Sequence, residues 1–351
     1  MNRVAWIDDL KGLGIVLIVL GHVVATVRIM SSGATADALG LVFDYIYSFH
    51  VPFFFLLAGL TFSTRRAFFD FCKAKFARLM IPYFIWGMFS AALFALVGGL
   101  VVRNMDSAAF STRSLSGGWW TPFLSILHGG GWPGGKGFRF NGVLWFLPVL
   151  FSAELIYYPI AKRISKTWHF VLVVSLIAIA LSPWYWTFLK LLLPYGLCRV
   201  PEYLVFIMIG DWIERNCRFG DLWSWTLFAL ALCVAAYLCV LCGEFVRYPL
   251  IVPKALATIV PLLLISRFRP FKWFAVFAPH TIAIMIFHKF PLVAMQIIVA
   301  KWGVMAVCPI VTSVSCVAIF SVVCVGVCYG ISLVLMRYLP WSVGAKRVLA
   351  K

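Results

Sequence analysis

Acidic residues are scarce in this chain: Asp and Glu number 12 in 351 residues, against 30 Lys and Arg, and charged residues of either sign make up only 12%. So little charge excludes a soluble domain, in which about a quarter of the residues are charged. Short alternating segments divided by turns are also lacking, and long continuous apolar runs stand in their place, which excludes a membrane β-barrel. The net charge of +18 invites a nucleic-acid reading. The basic residues, however, stand in short clusters between apolar runs, where the positive-inside rule puts them, so no nucleic-acid partner is expected. The cysteines suggest neither a disulfide framework nor a metal site. Cys233, Cys239, Cys316, Cys324 and Cys328 lie within apolar runs and read as small membrane hydrophobes.

What the chain has in abundance is hydrophobicity, with 63% apolar residues and a mean hydropathy of +0.99. An all-α polytopic membrane protein follows, a bundle of about ten transmembrane helices in a single domain over residues 1–351. The spans are expected near residues 10–30, 41–62, 81–102, 143–161, 169–187, 190–213, 222–242, 250–265, 281–298 and 305–336. The first is of full spanning length and follows Arg3, Asp8 and Asp9, so it is expected to be retained rather than cleaved as a signal peptide. The densest basic cluster, Arg65, Arg66, Lys73, Lys75 and Arg78, follows the second span, which puts that loop and both termini in the cytoplasm. The long Gly- and Trp-rich loop over 103–141 then faces outward.

Ionisable groups inside a span are expensive and point to function. Here they are His22, Asp44, His50, Glu154, Arg199, Glu202 and His288. Lys11, Ile15, Ile18 and His22 recur at helical spacing, so the cation and the imidazole share one stripe about 16 Å apart along the axis. Asp8 stands one turn before Lys11 and can pair with it. Each group also has a structural reading: Lys11 as a snorkelling anchor, His22 as a packed polar residue, and Arg199 and Glu202 as partners of one another.

The stretches IDDLKGLGI and VLGH within residues 7–22, FHVPFFFLLAG at 49–59, KAKFARLMIPY at 73–83, LWFLPVLF at 144–151 and HTIAIMIFHKFP at 280–291 come in an order and spacing that span nearly the whole chain. Together they resemble the integral-membrane acyltransferase 3 family, nearest its fucose-type O-acetyltransferase branch. The resemblance implies acetyl transfer from cytoplasmic acetyl-CoA, without a metal, to a hydroxyl of a glycan or lipid-linked sugar at the bacterial inner membrane. Lys11 with Arg65, Arg66, Lys73, Lys75 and Arg78 would meet the CoA phosphates. The Lys11 to His22 span is comparable with an extended pantetheine arm. His22 would act as general base on the acceptor hydroxyl, or would itself take the acetyl group in two steps. His50 would orient His22 or assist the oxyanion, Glu154 would fix a tautomer or hold sugar hydroxyls, and His288 would be a second acid or a group that binds the acceptor. Asp44, Trp145, Arg199 and Glu202 are the candidates for holding the acceptor. A proton-coupled transporter and a non-catalytic partner in polysaccharide assembly are the rival classes.

The charge asymmetry predicts sidedness. In a cysteine-free background, a cysteine at position 107 should react with impermeant maleimide added outside intact cells, and one at position 70 should not. The reverse labelling would overturn the orientation.

Overall fold

In hydrocarbon the backbone must satisfy its hydrogen bonds within the segment, and for apolar runs of this length the helix is the solution. The computed structural model describes residues 5–103, 121–128, 141–163, 194, 197–216, 251–266, 268–302 and 310–345. Among the described residues every regular element is helical. Five helices among the described residues are long and apolar enough to cross a membrane, or six if one bent pair counts as a single span. The spans expected near 169–187 and 222–242, and most of the outer loop, lie outside the described residues.

Helix α1 (Ala5–Ile29) and helix α2 (Gly33–Leu60) form a hairpin. The connection expected over 31–37 is shorter than that, because Gly33 takes a φ of 57°, a left-handed value open to glycine, and the chain turns at once. The loop expected after α2 is also partly helical. Helix α3 (Phe68–Lys75) runs through a π-helical turn, Phe76–Met80, into α4 (Ile81–Arg103). Pro82 accounts for the irregular turn, since it offers no N–H to the Arg78 carbonyl.

Short α5 (Thr121–Leu127) is followed by α6 (Phe146–Arg163), α7 (Val200–Asn216) and α8 (Ile251–Ser266). A 3-10 segment, Lys272–His280, then leads into α9 (Thr281–Phe287). Helix α10 (Lys289–Trp302) follows after a bend of 47°, and α11 (Ile310–Tyr338) comes last. A continuous span was expected over 281–298. The bend falls at His288 because Pro291 cannot donate to the Phe287 carbonyl and its ring crowds that group.

The α1–α2 hairpin is shared by two apolar cores. One gathers Phe53, Phe55 and Leu56 with residues of α6, α7 and α8, and the Phe55 ring stacks on Tyr203 at 4.5 Å. The other gathers Ile15, Val19 and Val23 with residues of α4, α9 and α11. Without a hydrophobic drive between helices in lipid, close approach needs small residues. Gly59 of α2 and Gly210 of α7 meet in this way, each against the other helix's backbone, so that a Cβ on either would overlap a carbonyl oxygen.

That crossing yields a stability prediction. Gly210→Leu should destabilise the protein by about 1–3 kcal/mol through forced separation of α2 and α7, seen as a lower unfolding temperature in detergent micelles. Gly326→Leu, where a Cβ meets nothing within 4 Å, serves as the control. Equal unfolding temperatures for the two variants would mean that the glycine crossing is not a stabilising contact.

Candidate functional site

Three of the six histidines converge where α1, α2 and the bend between α9 and α10 meet. The His22 ring lies 4.9 Å from that of His288 and 6.5 Å from that of His50. Tyr47 sits among them: its hydroxyl is 2.7 Å from His22 Nδ1 and its ring 4.5 Å from His50. Tyr47 and His50 stand three residues apart on α2, which places both on the face turned to α1. His288 enters the group because the Pro291 bend carries it there.

Backbone carbonyls set two of the tautomers. His50 Nδ1–H donates to the Ile46 carbonyl at 2.9 Å and His288 Nδ1–H to the Ile284 carbonyl at 3.1 Å, which leaves each Nε2 with its lone pair. For His22 the Tyr47 bond admits two arrangements. With Nδ1–H donating to the phenol oxygen, Nε2 is free to take a proton, the state a general base requires. His288 is wholly enclosed at 0% exposure, and its Nε2 has no hydrogen-bond partner among the described residues. His22, by contrast, is only half-buried and can be reached. The carbonyl of His288 accepts from Cys324 Sγ at 3.5 Å, which ties the bend to α11.

Around this centre, buried carboxylates are matched by cations. Asp9 of α1 is fully buried and receives two hydrogen bonds from Arg269, at 2.9 and 3.1 Å. Arg269 holds a φ of 53° to make them, and its hydrogen bond to Asp9 raises the guanidinium pKa above its ordinary value. The same segment presses on α1 at Gly12, where the Phe274 carbonyl occupies the space of a side chain. Lys75 donates to Glu154 across α3 and α6. Asp211 accepts from Arg215 at 2.9 Å and from the Tyr157 hydroxyl at 2.6 Å.

The structure thus brings together His22, His50 and His288 but does not join Glu154 to them by any described hydrogen bond. Glu154 Oε1 is held by Lys75, while its Oε2 is buried and has no hydrogen-bond partner among the described residues. Lys75 accordingly differs from Arg65, Arg66, Lys73 and Arg78, whose side chains are exposed. Lys11 is half-buried one turn from Asp8, at 4.0 Å. Arg199 lies over the Trp145 ring at 4.3 Å, with Glu202 close enough to feel its charge and Tyr203 completing an aromatic wall 5.7 Å from Trp145. Asp44 is exposed.

Sequence reasoning missed Tyr47, Lys289, Asp9 with Arg269, and Asp211. A signal existed for two of them. Lys289 and Asp211 are ionisable residues inside expected spans, and Lys289 directly follows a singled-out histidine.

A protein-family model described as an acyltransferase domain, that of the acyltransferase 3 family, matches residues 4–333. No curated protein and no solved structure matches the chain.

The pairing of Lys75 with a carboxylate that is 2% exposed predicts the outcome of a double-mutant cycle. Lys75→Met should cost about 3 kcal/mol, because it leaves Glu154 buried and uncompensated. Adding Glu154→Gln should recover most of that loss. Unfolding temperatures of the single and double variants in micelles measure it, and additive losses would mean that the two groups do not interact.

Proposed function

The chain belongs to the acyltransferase 3 family, and from that premise we propose that it moves an acetyl group from cytoplasmic acetyl-CoA to a hydroxyl of a cell-surface glycan or lipid-linked sugar. The observation that carries this reading is the convergence of His22, Tyr47, His50 and His288 at one point inside a bundle of apolar helices. His22 is the general base. It is the reachable member of the group, and Tyr47 can hold it in the tautomer with Nε2 free. The acceptor hydroxyl attacks the thioester carbonyl carbon, its proton passes to His22, and the tetrahedral intermediate collapses to the sugar ester. The departing thiolate takes the proton back from the imidazolium.

His50 and His288 are themselves pinned to carbonyls of their own helix turns, which suits them to fixing the cavity around His22 rather than to shuttling protons over a distance. The buried phenylalanines Phe53 and Phe55 supply an apolar wall that keeps water from the thioester. About ten spans with both termini in the cytoplasm of a bacterial inner membrane put Lys11 at the inner mouth. There it meets the CoA phosphates together with the exposed Arg65, Arg66, Lys73 and Arg78. Glu154 and Lys75 serve this arrangement as a structural pair. Arg199, stacked over Trp145, is the platform for the acceptor sugar, since its guanidinium offers hydrogen bonds to hydroxyls.

The two ends of the Lys11–His22 stripe should fail differently. A phosphate contact acts equally in ground and transition states, so Lys11→Ala should raise the apparent KM for acetyl-CoA with little change in kcat. Loss of the base should lower kcat about 10²- to 10⁴-fold in His22→Ala while CoA still raises the unfolding temperature. Purified protein with labelled acetyl-CoA and candidate glycans measures both. Wild-type kinetics in both variants would sink the proposed site.

A further inference from the structure

The bend that delivers His288 is where the backbone of the site needs support, because the last carbonyls of a helix have no partner within it. Helix α9 ends at Phe287. The Ile284 carbonyl is met by the His288 N–H at 3.0 Å, and the His288 carbonyl by Cys324. The Ile286 carbonyl is met from a distant part of the chain: Asn141 Nδ2 donates to it at 3.1 Å, and to Ser90 Oγ of α4 at 3.3 Å. A carbonyl only accepts, so the end of the Asn141 amide that faces Ile286 is its NH₂ and not its oxygen. Asn141 is fully buried, and its Oδ1 has no hydrogen-bond partner among the described residues. An apolar side chain of similar size would remove that orphan acceptor and its cost, but only the amide supplies a donor to the bend. The Asn141 backbone is engaged as well. Its carbonyl accepts from the Leu144 N–H at 3.2 Å, opening the 3-10 turn Gly142–Trp145, and Trp145 carries Arg199 over its ring. One residue thus touches both the segment that bears His288 and the turn that bears Trp145.

We propose that Asn141 is a positioning residue: its side-chain amide holds the α9–α10 bend where the His288 ring stands 4.9 Å from that of His22. The inference rests on the acetyl-transfer reading above, with His22 as base. His288 lies two residues beyond the gripped carbonyl, and its Nδ1–H donates to Ile284 within the same turn, so the place of the ring is set by that turn as a whole. Without the amide donor the Ile286 carbonyl loses a partner in an interior where water does not replace it. The turn then shifts, and His288 leaves the wall against which the His22 ring packs. A displacement of about 1 Å at a reacting group is enough to slow a step strongly. The CoA end of the site is untouched by it, so the effect falls on kcat and not on the KM for acetyl-CoA.

The experiment combines acetyl-CoA cleavage by the purified full-length protein, with water or glucose as acceptor, and labelling of its histidines by diethyl pyrocarbonate, read by peptide mass spectrometry. Asn141→Leu should lower kcat about 10- to 10²-fold with the KM for acetyl-CoA little changed, and CoA should still raise the unfolding temperature. His288, at 0% exposure, should resist the reagent in the wild type and react in Asn141→Leu. Asn141→Gln, which keeps the amide on a longer arm, should retain a part of the activity that Asn141→Leu loses. Because Asn141 acts through His288, adding Asn141→Leu to His288→Ala should be little worse than His288→Ala alone. Should Asn141→Leu fail to accumulate in the membrane, Asn141→Ala reads the same quantities. Unchanged kcat in Asn141→Leu, a His288 that stays protected while kcat falls, or a multiplicative double variant would each overturn the assignment while leaving acetyl transfer in place. A wild-type protein that cleaves no acetyl-CoA with either acceptor would overturn the acetyl-transfer reading itself, and the assignment with it.

Discussion

Matching of charge inside a low-dielectric bundle is the constraint on which the rest of this architecture depends. A carboxylate removed from water loses several kcal/mol of hydration, and only a well-placed cation offsets that. Asp9 is fully buried because Arg269 reaches it with two hydrogen bonds, and Arg269 reaches it only by adopting a left-handed backbone. That contact clips the segment before α9 onto the first turns of α1. The Lys75–Glu154 and Asp211–Arg215 pairs act likewise, the first joining α3 to α6 and the second, through Tyr157, joining α6 to α7.

The histidine centre is assembled from three separate segments, and each is held by a different physical device. Helix α1 supplies His22 from a continuous apolar span. Helix α2 supplies Tyr47 and His50 on one face, against which α1 packs. The third segment depends on a defect, the hydrogen bond that Pro291 cannot make. A straight helix would carry His288 on past the site, whereas the bend holds it, with Cys324 bonded to the carbonyl at its apex. Irregular backbone inside a membrane protein is tolerated where it is buried in protein, and function tends to gather there.

Much of the candidate site was legible because expensive residues stand out against an apolar background. His22, His50 and His288 could be singled out from their place in apolar runs alone, without knowledge of their neighbours. Glu154 could be singled out in the same way, yet its partner could not. Lys75 lies far from it in sequence, and in a one-dimensional reading it is one of several cations in a basic cluster. Tyr47 gave no warning, since an aromatic residue near a membrane boundary is ordinary and its importance rests on a single 2.7 Å contact with a ring on another helix.

Hydropathy and residue spacing, which are properties of the chain alone, determined the helical class, the apolar spans and the stripe that joins Lys11 to His22. These follow from local periodicity and from transfer free energies that add residue by residue. Only the tertiary structure decided which buried charges neutralise one another and which histidines meet. Those outcomes depend on contacts between segments as far apart as Asp9 and Arg269 or His22 and His288. The energy of a charge in a low-dielectric interior is set by its nearest partners in space, and the order of residues along the chain does not contain that distance.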